Sequence, residues 1–376
     1  MSLPAAYFID GNEAIAHAAV DSGCRFFAGY PITPATTIFH HMLRLLPPVG
    51  GICLQGEDEI ASIGFCLGAS MTGLKVMTAT SGPGISLFSE QISFAIGGEI
   101  PIVIVDVQRL GPSTGSATKG ADSDIKFLRW GNSGGLPVIV LAPVDSADCY
   151  NLTWRAFNLA ERFRTPVFIA SNKEIGMTRE SVPVSDFLKP ESIERKLFEA
   201  VEPRTRYLPF ATSAHGLVPD FLPIGDAQLV RQTSSTHGPD GYITTDVTTI
   251  EQNILRLRDK LLRGVGDFTY YDLDRSEDAD TLIITYGVSS RAAVSAMTAL
   301  RQASLKVSLL ILKTLYPVPE SLLDEEMRRV CRVLVVEMNL GQYVEDIRRI
   351  AGKVPVHFVG KMNGELITPE EIQQAF

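Results

Sequence analysis

The sequence predicts an α/β protein built on a parallel sheet with helices on both faces. Short β-branched runs, nearly all apolar, alternate with amphipathic stretches that carry helix-end signals. The composition agrees: of 376 residues, 45% are hydrophobic and 20% charged, the balance of a folded chain rather than a disordered one. At roughly 150 residues per domain, this length predicts two to three domains.

The first strand candidates are Phe26–Ala28, Gly51–Leu54, Lys75–Ala79, Ile102–Val107, Pro137–Leu141 and Pro166–Ala170, all read as buried parallel strands. Asn12 is placed to cap a helix over 13–21, and Gly23 follows its end. Thr33-Pro34 reads as an N-cap followed by proline at the first helical position, and Asp145 as the cap of a helix reaching Arg162. From Val182 to about Arg275, Pro, Ser, Thr and Gly accumulate around one predicted helix, Thr249 to Leu262. Alternation resumes with strands predicted at 281–286, 307–312, 332–337 and 356–359, and helices at 289–303, 319–330 and 342–351. The expected organisation is one α/β domain over 1–180, a connecting segment over 181–275, and a smaller α/β domain over 276–376.

A net charge of −9 argues against a broad nucleic-acid surface. The five cysteines, Cys24, Cys53, Cys66, Cys149 and Cys331, are scattered singly with no CxxC pair. No iron–sulfur or zinc ligand set is therefore expected on this chain, and the thiols suit a reducing compartment. Met1 to Asp10 shows no basic stretch before an apolar core. No apolar run reaches the roughly 18 residues of a membrane span. A soluble cytoplasmic protein is the expectation.

Four segments stand out. In Tyr30-Pro31-Ile32-Thr33-Pro34, two prolines flank a threonine directly after a strand, at the sheet edge where open α/β folds bind ligands; the plainer reading is a helix cap. Glu57-Asp58-Glu59 opens a predicted helix that then runs apolar. Glu57 and Asp58 are explained by the helix dipole. Glu59, followed by small and apolar residues, is a candidate for a buried carboxylate, a type of group that can exchange a proton near neutrality. Thr80-Ser81-Gly82-Pro83-Gly84 presents a turn of small residues at a helix start, either a ligand cradle or a tight structural turn, and is neither a Walker A loop nor GxGxxG. Arg109 ends an apolar strand, with Gly111-Pro112-Ser113-Thr114-Gly115 after it and Lys119 and Asp124 beyond. It is shaped for bidentate binding of a carboxylate, or for a structural salt bridge. The six histidines form no metal-ligand spacing, and no GxSxG elbow is present.

Together with Met362-Asn363-Gly364-Glu365-Leu366-Ile367-Thr368-Pro369, these segments resemble the α subunit of 2-oxoacid:ferredoxin oxidoreductases, most closely the 2-oxoglutarate branch. The likeness covers nearly the whole chain. It implies a thiamine-diphosphate-binding fold: a pyrimidine-binding domain followed by a transketolase-C-like α/β domain. By this resemblance Glu59 is the activating glutamate, bonded to the aminopyrimidine ring nitrogen so that the ring's imino form removes the thiazolium C2 proton. Tyr30, Pro31, Ile32, Ser81 and Gly82 would line the cofactor. Thr33 and Arg109 would hold the 2-oxoacid, and Lys119 would meet a second substrate carboxylate. The loop departs from the branch: it reads Ala117-Thr118-Lys119-Gly120-Ala121-Asp122-Ser123-Asp124, without the Glu-Gln that often precedes the aspartate.

The thiamine family's GDG…Asn metal–diphosphate signature is missing, Gly225-Asp226-Ala227 and Gly266-Asp267-Phe268 being broken versions. The resemblance then implies that Mg2+, the diphosphate end of thiamine diphosphate and a [4Fe-4S] cluster lie on a separate β subunit. A γ subunit is a further option, the complex would be a heterotetramer, and CoA and ferredoxin would be co-substrates. Pyruvate, branched-chain and aryl 2-oxoacids are alternative substrates. The alternatives of other kinds are a non-catalytic thiamine-fold scaffold and a transketolase- or decarboxylase-type half-enzyme without electron transfer.

Overall fold

The computed structural model describes residues 5–200, 206–213, 216–225 and 228–376. A seven-stranded sheet runs in the order Thr314–Tyr316, Ile139–Leu141, Pro166–Asn172, Ile102–Gln108, Lys75–Thr80, Cys24–Gly29, Ile52–Gln55. All neighbours are parallel except Thr314–Tyr316, which pairs antiparallel with Ile139–Leu141. A second sheet has five strands, in the order Val356–Gly360, Arg332–Glu337, Thr281–Tyr286, Val307–Leu312, Tyr271–Asp274, with only the last antiparallel to its neighbour. Ala6–Asp10 and Arg179–Pro183 form a separate antiparallel pair. Apolar residues of both large sheets pack between the helices that cover them.

Several sequence readings are corrected. Asp10, not Asn12, caps the first helix, Gly11–Asp21, accepting from the Glu13 N–H at 2.9 Å. Asn12 is buried and donates to the Pro34 carbonyl at 3.0 Å and to Thr37 Oγ1 at 2.7 Å, bracing the turn before the next helix. Thr33 caps nothing: the Thr33–Pro34 peptide is cis and the helix begins at Thr36, after Ala35. Strand Ile52–Gln55, one edge of the sheet, is not buried like the others, whereas the opposite edge strand, Thr314–Tyr316, is. Four strands lacked a readable signal. Ala6–Asp10, Arg179–Pro183 and Tyr271–Asp274 are exposed along much of their length, and Thr314–Tyr316 is too short for a period. Asp145 does cap Ser146–Phe163. Asp226 and Ala227 lie outside the described residues, while Asp267 sits in a short 3-10 turn and pairs with Arg162.

In the segment that connects the two sheets along the chain, helix Val247–Leu262 lays Arg256 and Lys260 on Glu99 of the first sheet's layer, at 2.6 Å and 2.9 Å. Glu99 is fully buried. Burial pushes its carboxyl up, but Lys260 and Arg256 outweigh this and hold it at about 2, below its ordinary 4.5. The sign follows: the stability contributed by ionised Glu99 is complete above pH 4.5 and is lost as pH falls toward 2. Glu99→Gln strands two buried cations and should destabilise the fold by about 3–5 kcal/mol in urea unfolding. The variant should also lose this part of the wild-type acid sensitivity.

Candidate functional site

Because the strands are parallel, the turns that follow four of them fall on one edge of the first sheet. Cys24–Gly29 leads into Tyr30–Pro34, and Ile52–Gln55 into helix Glu59–Met71. Lys75–Thr80 leads into Ser81–Gly84, and Ile102–Gln108 into Arg109.

Asp58 caps the helix by accepting from the Ala61 N–H at 2.7 Å, which leaves Glu59 as the first helical residue. Its side chain is turned inward and only 7% exposed, while Glu57 stays in solvent. Glu59 rests directly on Gly84: a Cβ there would stand 2.8 Å from Glu59 Oε1 and 2.0 Å from Thr80 Oγ1, so any side chain would displace the carboxyl or the threonine. Thr80 Oγ1 and Ser81 Oγ are buried without hydrogen-bond partners. Gly82 has φ +37°, and a Cβ on it would lie 3.7 Å from Arg109 Nε.

Arg109 is 4% exposed. Its Nη1 donates to the Thr33 carbonyl at 2.5 Å, and its Nε is buried with no partner. The Thr33 backbone therefore fixes one side of the guanidinium while the other side remains available. The structure brings Glu59, Ser81, Gly82, Arg109 and Thr33 to one edge. Tyr30 is exposed beside them, with Pro31 and Ile32 half-buried. Lys119 arrives by a fold-back of its loop, where its carbonyl accepts from the Leu110 N–H at 2.8 Å. Gly364 of the 362–369 segment packs on its stem; a Cβ at 364 would come within 2.7 Å of Lys119 Cβ.

Sequence reasoning gave no role to Thr80, to the buried Asp106 and Asp122, or to the half-buried Asp124. Asp106 had a signal: it is the acid in the otherwise apolar run Ile-Val-Ile-Val-Asp-Val. Asp122 Oδ1 accepts from Asn172 Nδ2 at 2.8 Å. Burial pushes Asp122 up to about 7, with Glu337 and Asp124 adding to the effect and Asn172 opposing it.

The cysteines do not fit an iron–sulfur cluster. They lie singly on separate elements, Cys24 on Cys24–Gly29, Cys53 on Ile52–Gln55, Cys66 on Glu59–Met71 and Cys149 on Ser146–Phe163, with Cys331 exposed, so none offers the closely spaced set that cluster motifs use. Among the described residues, Asp10, Glu13 and His41 offer a metal-like grouping. Arg179 already pairs with both acids, and Arg44 Nη2 lies 2.9 Å from His41 Nδ1, so cations occupy that surrounding. No helix is long and apolar enough to cross a membrane among these residues.

Comparison with known proteins matches this edge and the chain around it. Residues 17–256 match the family model described as pyruvate flavodoxin/ferredoxin oxidoreductase, thiamine diphosphate binding, and residues 279–372 match pyruvate:ferredoxin oxidoreductase core domain II. The chain is 40% identical over 370 residues to the 2-oxoglutarate synthase subunit KorA of Methanothermobacter thermautotrophicus, covering 97% of this chain and 96% of that one. It is 34% identical over 370 residues to the ketoisovalerate oxidoreductase subunit VorB of the same organism, covering 98% and 96%. A solved structure of 2-oxoglutarate:ferredoxin oxidoreductase from Magnetococcus marinus, with 2-oxoglutarate, coenzyme A and succinyl-CoA bound, superposes with TM-score 0.91 at 33% identity. That match covers 98% of this chain but 64% of the solved one, so this chain spans under two thirds of its length. On matches of this length and identity, the chain belongs to the pyruvate flavodoxin/ferredoxin oxidoreductase family and carries its thiamine-diphosphate-binding domain.

Proposed function

We propose that this chain is the α subunit of a 2-oxoacid:ferredoxin oxidoreductase that converts 2-oxoglutarate and CoA to succinyl-CoA and CO2 and delivers two electrons to ferredoxin. One observation carries the reading: Glu59, buried against Gly84, shares a sheet edge with Arg109, whose Nε has no partner. A scaffold protein has no need of both groups at one edge.

The residues fit the pyrimidine end of thiamine diphosphate. Thr80 and Ser81 hold unpartnered buried hydroxyls, and glycines at 82 and 84 leave room for a flat ring to approach. When bound, the cofactor supplies the carbon nucleophile and the electron sink for decarboxylation. Glu59 would hold and return a proton at the pyrimidine ring nitrogen. Arg109 binds the 2-oxoacid carboxylate through the side of its guanidinium that Thr33 leaves free, and the exposed Thr33 hydroxyl meets the keto oxygen. Lys119 meets the distal carboxylate, which favours 2-oxoglutarate. The likeness to a ketoisovalerate oxidoreductase subunit supports branched-chain acids as the second reading.

A β subunit supplies the diphosphate end with Mg2+ and the [4Fe-4S] cluster. Beside Glu59, the edge strand exposes Ile52 and Leu54, and helix Glu59–Met71 exposes Ile60 and Phe65, each 40–50% accessible. Gly64 and Gly68 of that helix meet nothing within 4 Å. Such an apolar edge suits a partner chain.

The deciding experiment is CoA-dependent viologen reduction by the chain purified with its partner, across a panel of 2-oxoacids; 2-oxoglutarate should give the highest kcat/KM. Glu59→Gln should assemble normally and lower turnover by about 10²–10⁴-fold. Lys119→Ala should erode the preference for 2-oxoglutarate over pyruvate, and an unchanged ratio removes Lys119 from recognition. Gly64→Leu should leave the isolated chain's melting temperature nearly unchanged yet abolish co-purification of the partner.

A further inference from the structure

Asp106 is fully buried in strand Ile102–Gln108, three residues before Arg109. Its two carboxyl oxygens are buried without a well-formed hydrogen bond from any N–H or O–H, and so is Asp124 Oδ2. The Asp124 carboxyl, the Gly82 N–H and the Arg109 guanidinium are the groups that act on Asp106.

Asp124 behaves unlike its counterparts. It occupies the N-cap position of helix Ile125–Trp130 but accepts nothing from that helix. Asp10, Asp58, Asp145, Asn172 and Asp246, at the same position of their helices, each accept from their own first turn. Its backbone is fastened in place: Asp124 N–H donates to Gln108 Oε1 at 2.9 Å, and Ser123 Oγ donates to the Arg109 carbonyl at 2.7 Å. The carboxyl forgoes its cap and faces Asp106.

Two carboxylates facing each other out of water repel; they attract only with a proton between them. Burial, and then Asp124, push the Asp106 carboxyl well up, with Gly82 and Arg109 opposing less strongly, and burial pushes Asp124 up to about 6, so the pair as a unit retains a proton.

We propose that Asp106 and Asp124 share one proton, and that this pair is a positioning device that keeps Arg109 available for the 2-oxoacid carboxylate. With the proton in place the pair carries one negative charge and joins strand to loop. Without it, two anions flank the guanidinium and compete with the substrate. Asp122, on the same loop, feels both Asp124 and, from the second sheet, Glu337, so the charges bordering the pair on that side are acids. The aligned neighbours on the adjacent strands, Thr80 and Ala170, carry no charge.

The inference rests on Arg109 as the substrate-carboxylate site, and the test separates the two. In the assembled enzyme, wild-type KM for the 2-oxoacid should climb on the alkaline side while kcat holds. Asp106→Asn, whose amide donates to Asp124 at every pH, should lose that climb. Asp106→Ala, with no donor, should show KM raised about tenfold throughout. Asp124→Asn places the permanent donor on the other member, should match Asp106→Asn, and serves if that variant does not fold. The infrared difference spectrum between the wild-type complex and Asp106→Asn should show a buried protonated-carboxyl band that the substitution removes, the band of Asp122 being common to both and cancelling. A wild-type KM insensitive to pH, an Asp106→Asn profile that follows wild type, or a band that survives the substitution overturns the proposal. If no 2-oxoacid is turned over, the functional reading fails, and the infrared band still decides whether the proton is shared.

Discussion

The segment around residues 119–126 is held by the turn after strand Arg332–Glu337, and the candidate site depends on that clasp. Asp122 N–H donates to the Met338 carbonyl at 2.9 Å, and Asn339 Nδ2 donates back to the Asp122 carbonyl at 3.0 Å. Gln342 then donates to the Ser123 carbonyl at 2.6 Å and accepts from the Lys126 N–H at 2.8 Å. The turn is itself rigid. Buried Glu337 accepts from the Tyr286 hydroxyl and from the Tyr343 and Val344 N–H groups, and Asn339 bonds two backbone N–H groups of its own turn. These bonds cross between the two sheets. The second sheet therefore sets where the Arg109 loop lies on the first.

From that clasp the rest follows in order. Ser123 fixes the Arg109 carbonyl, Gln108 holds the Asp124 backbone, and Arg109 reaches the Thr33 carbonyl. The Thr33 turn is braced from behind by Asn12. On the other side, Asp58 caps its helix and Glu59 settles on Gly84. Among the buried polar groups left without partners, the Thr80 and Ser81 hydroxyls, Arg109 Nε and the Asp106 oxygens are gathered at this edge. Buried polar groups ordinarily find partners. A concentration of exceptions at the carboxyl edge of a parallel sheet is what a binding site for polar ligands presents.

Much of this was legible in the sequence. Buried parallel strands announce themselves because both faces must be apolar, and 281–286, 307–312 and 332–337 match their strands residue for residue. The candidates Glu59, Thr33 and Arg109 were visible because each breaks an apolar or turn pattern directly after a strand. The misread features depend on partners distant in sequence. Thr33 looks like a cap because threonine before proline usually is one, yet its carbonyl is used by Arg109 and its peptide is cis. Asn12 looks like a cap, yet Asp10 competes successfully and Asn12 is taken inward by Pro34 and Thr37. Thr314–Tyr316 carries no strand signal of its own and pairs only because Ile139–Leu141 presents an open edge.

By itself, then, the sequence determined the α/β class, the order along the chain of the parallel strands of the two large sheets, and the residue types gathered after them. Local propensity, apolar period and family likeness act within short windows and suffice for these. The tertiary structure decided which of those residues meet: that Glu59 is buried on Gly84, that Arg109 keeps one nitrogen free, and that Asp124 turns from its helix toward Asp106. Each outcome is a competition for a hydrogen-bond partner or for space between segments far apart in the chain. Such a competition has no winner until the sheets are packed.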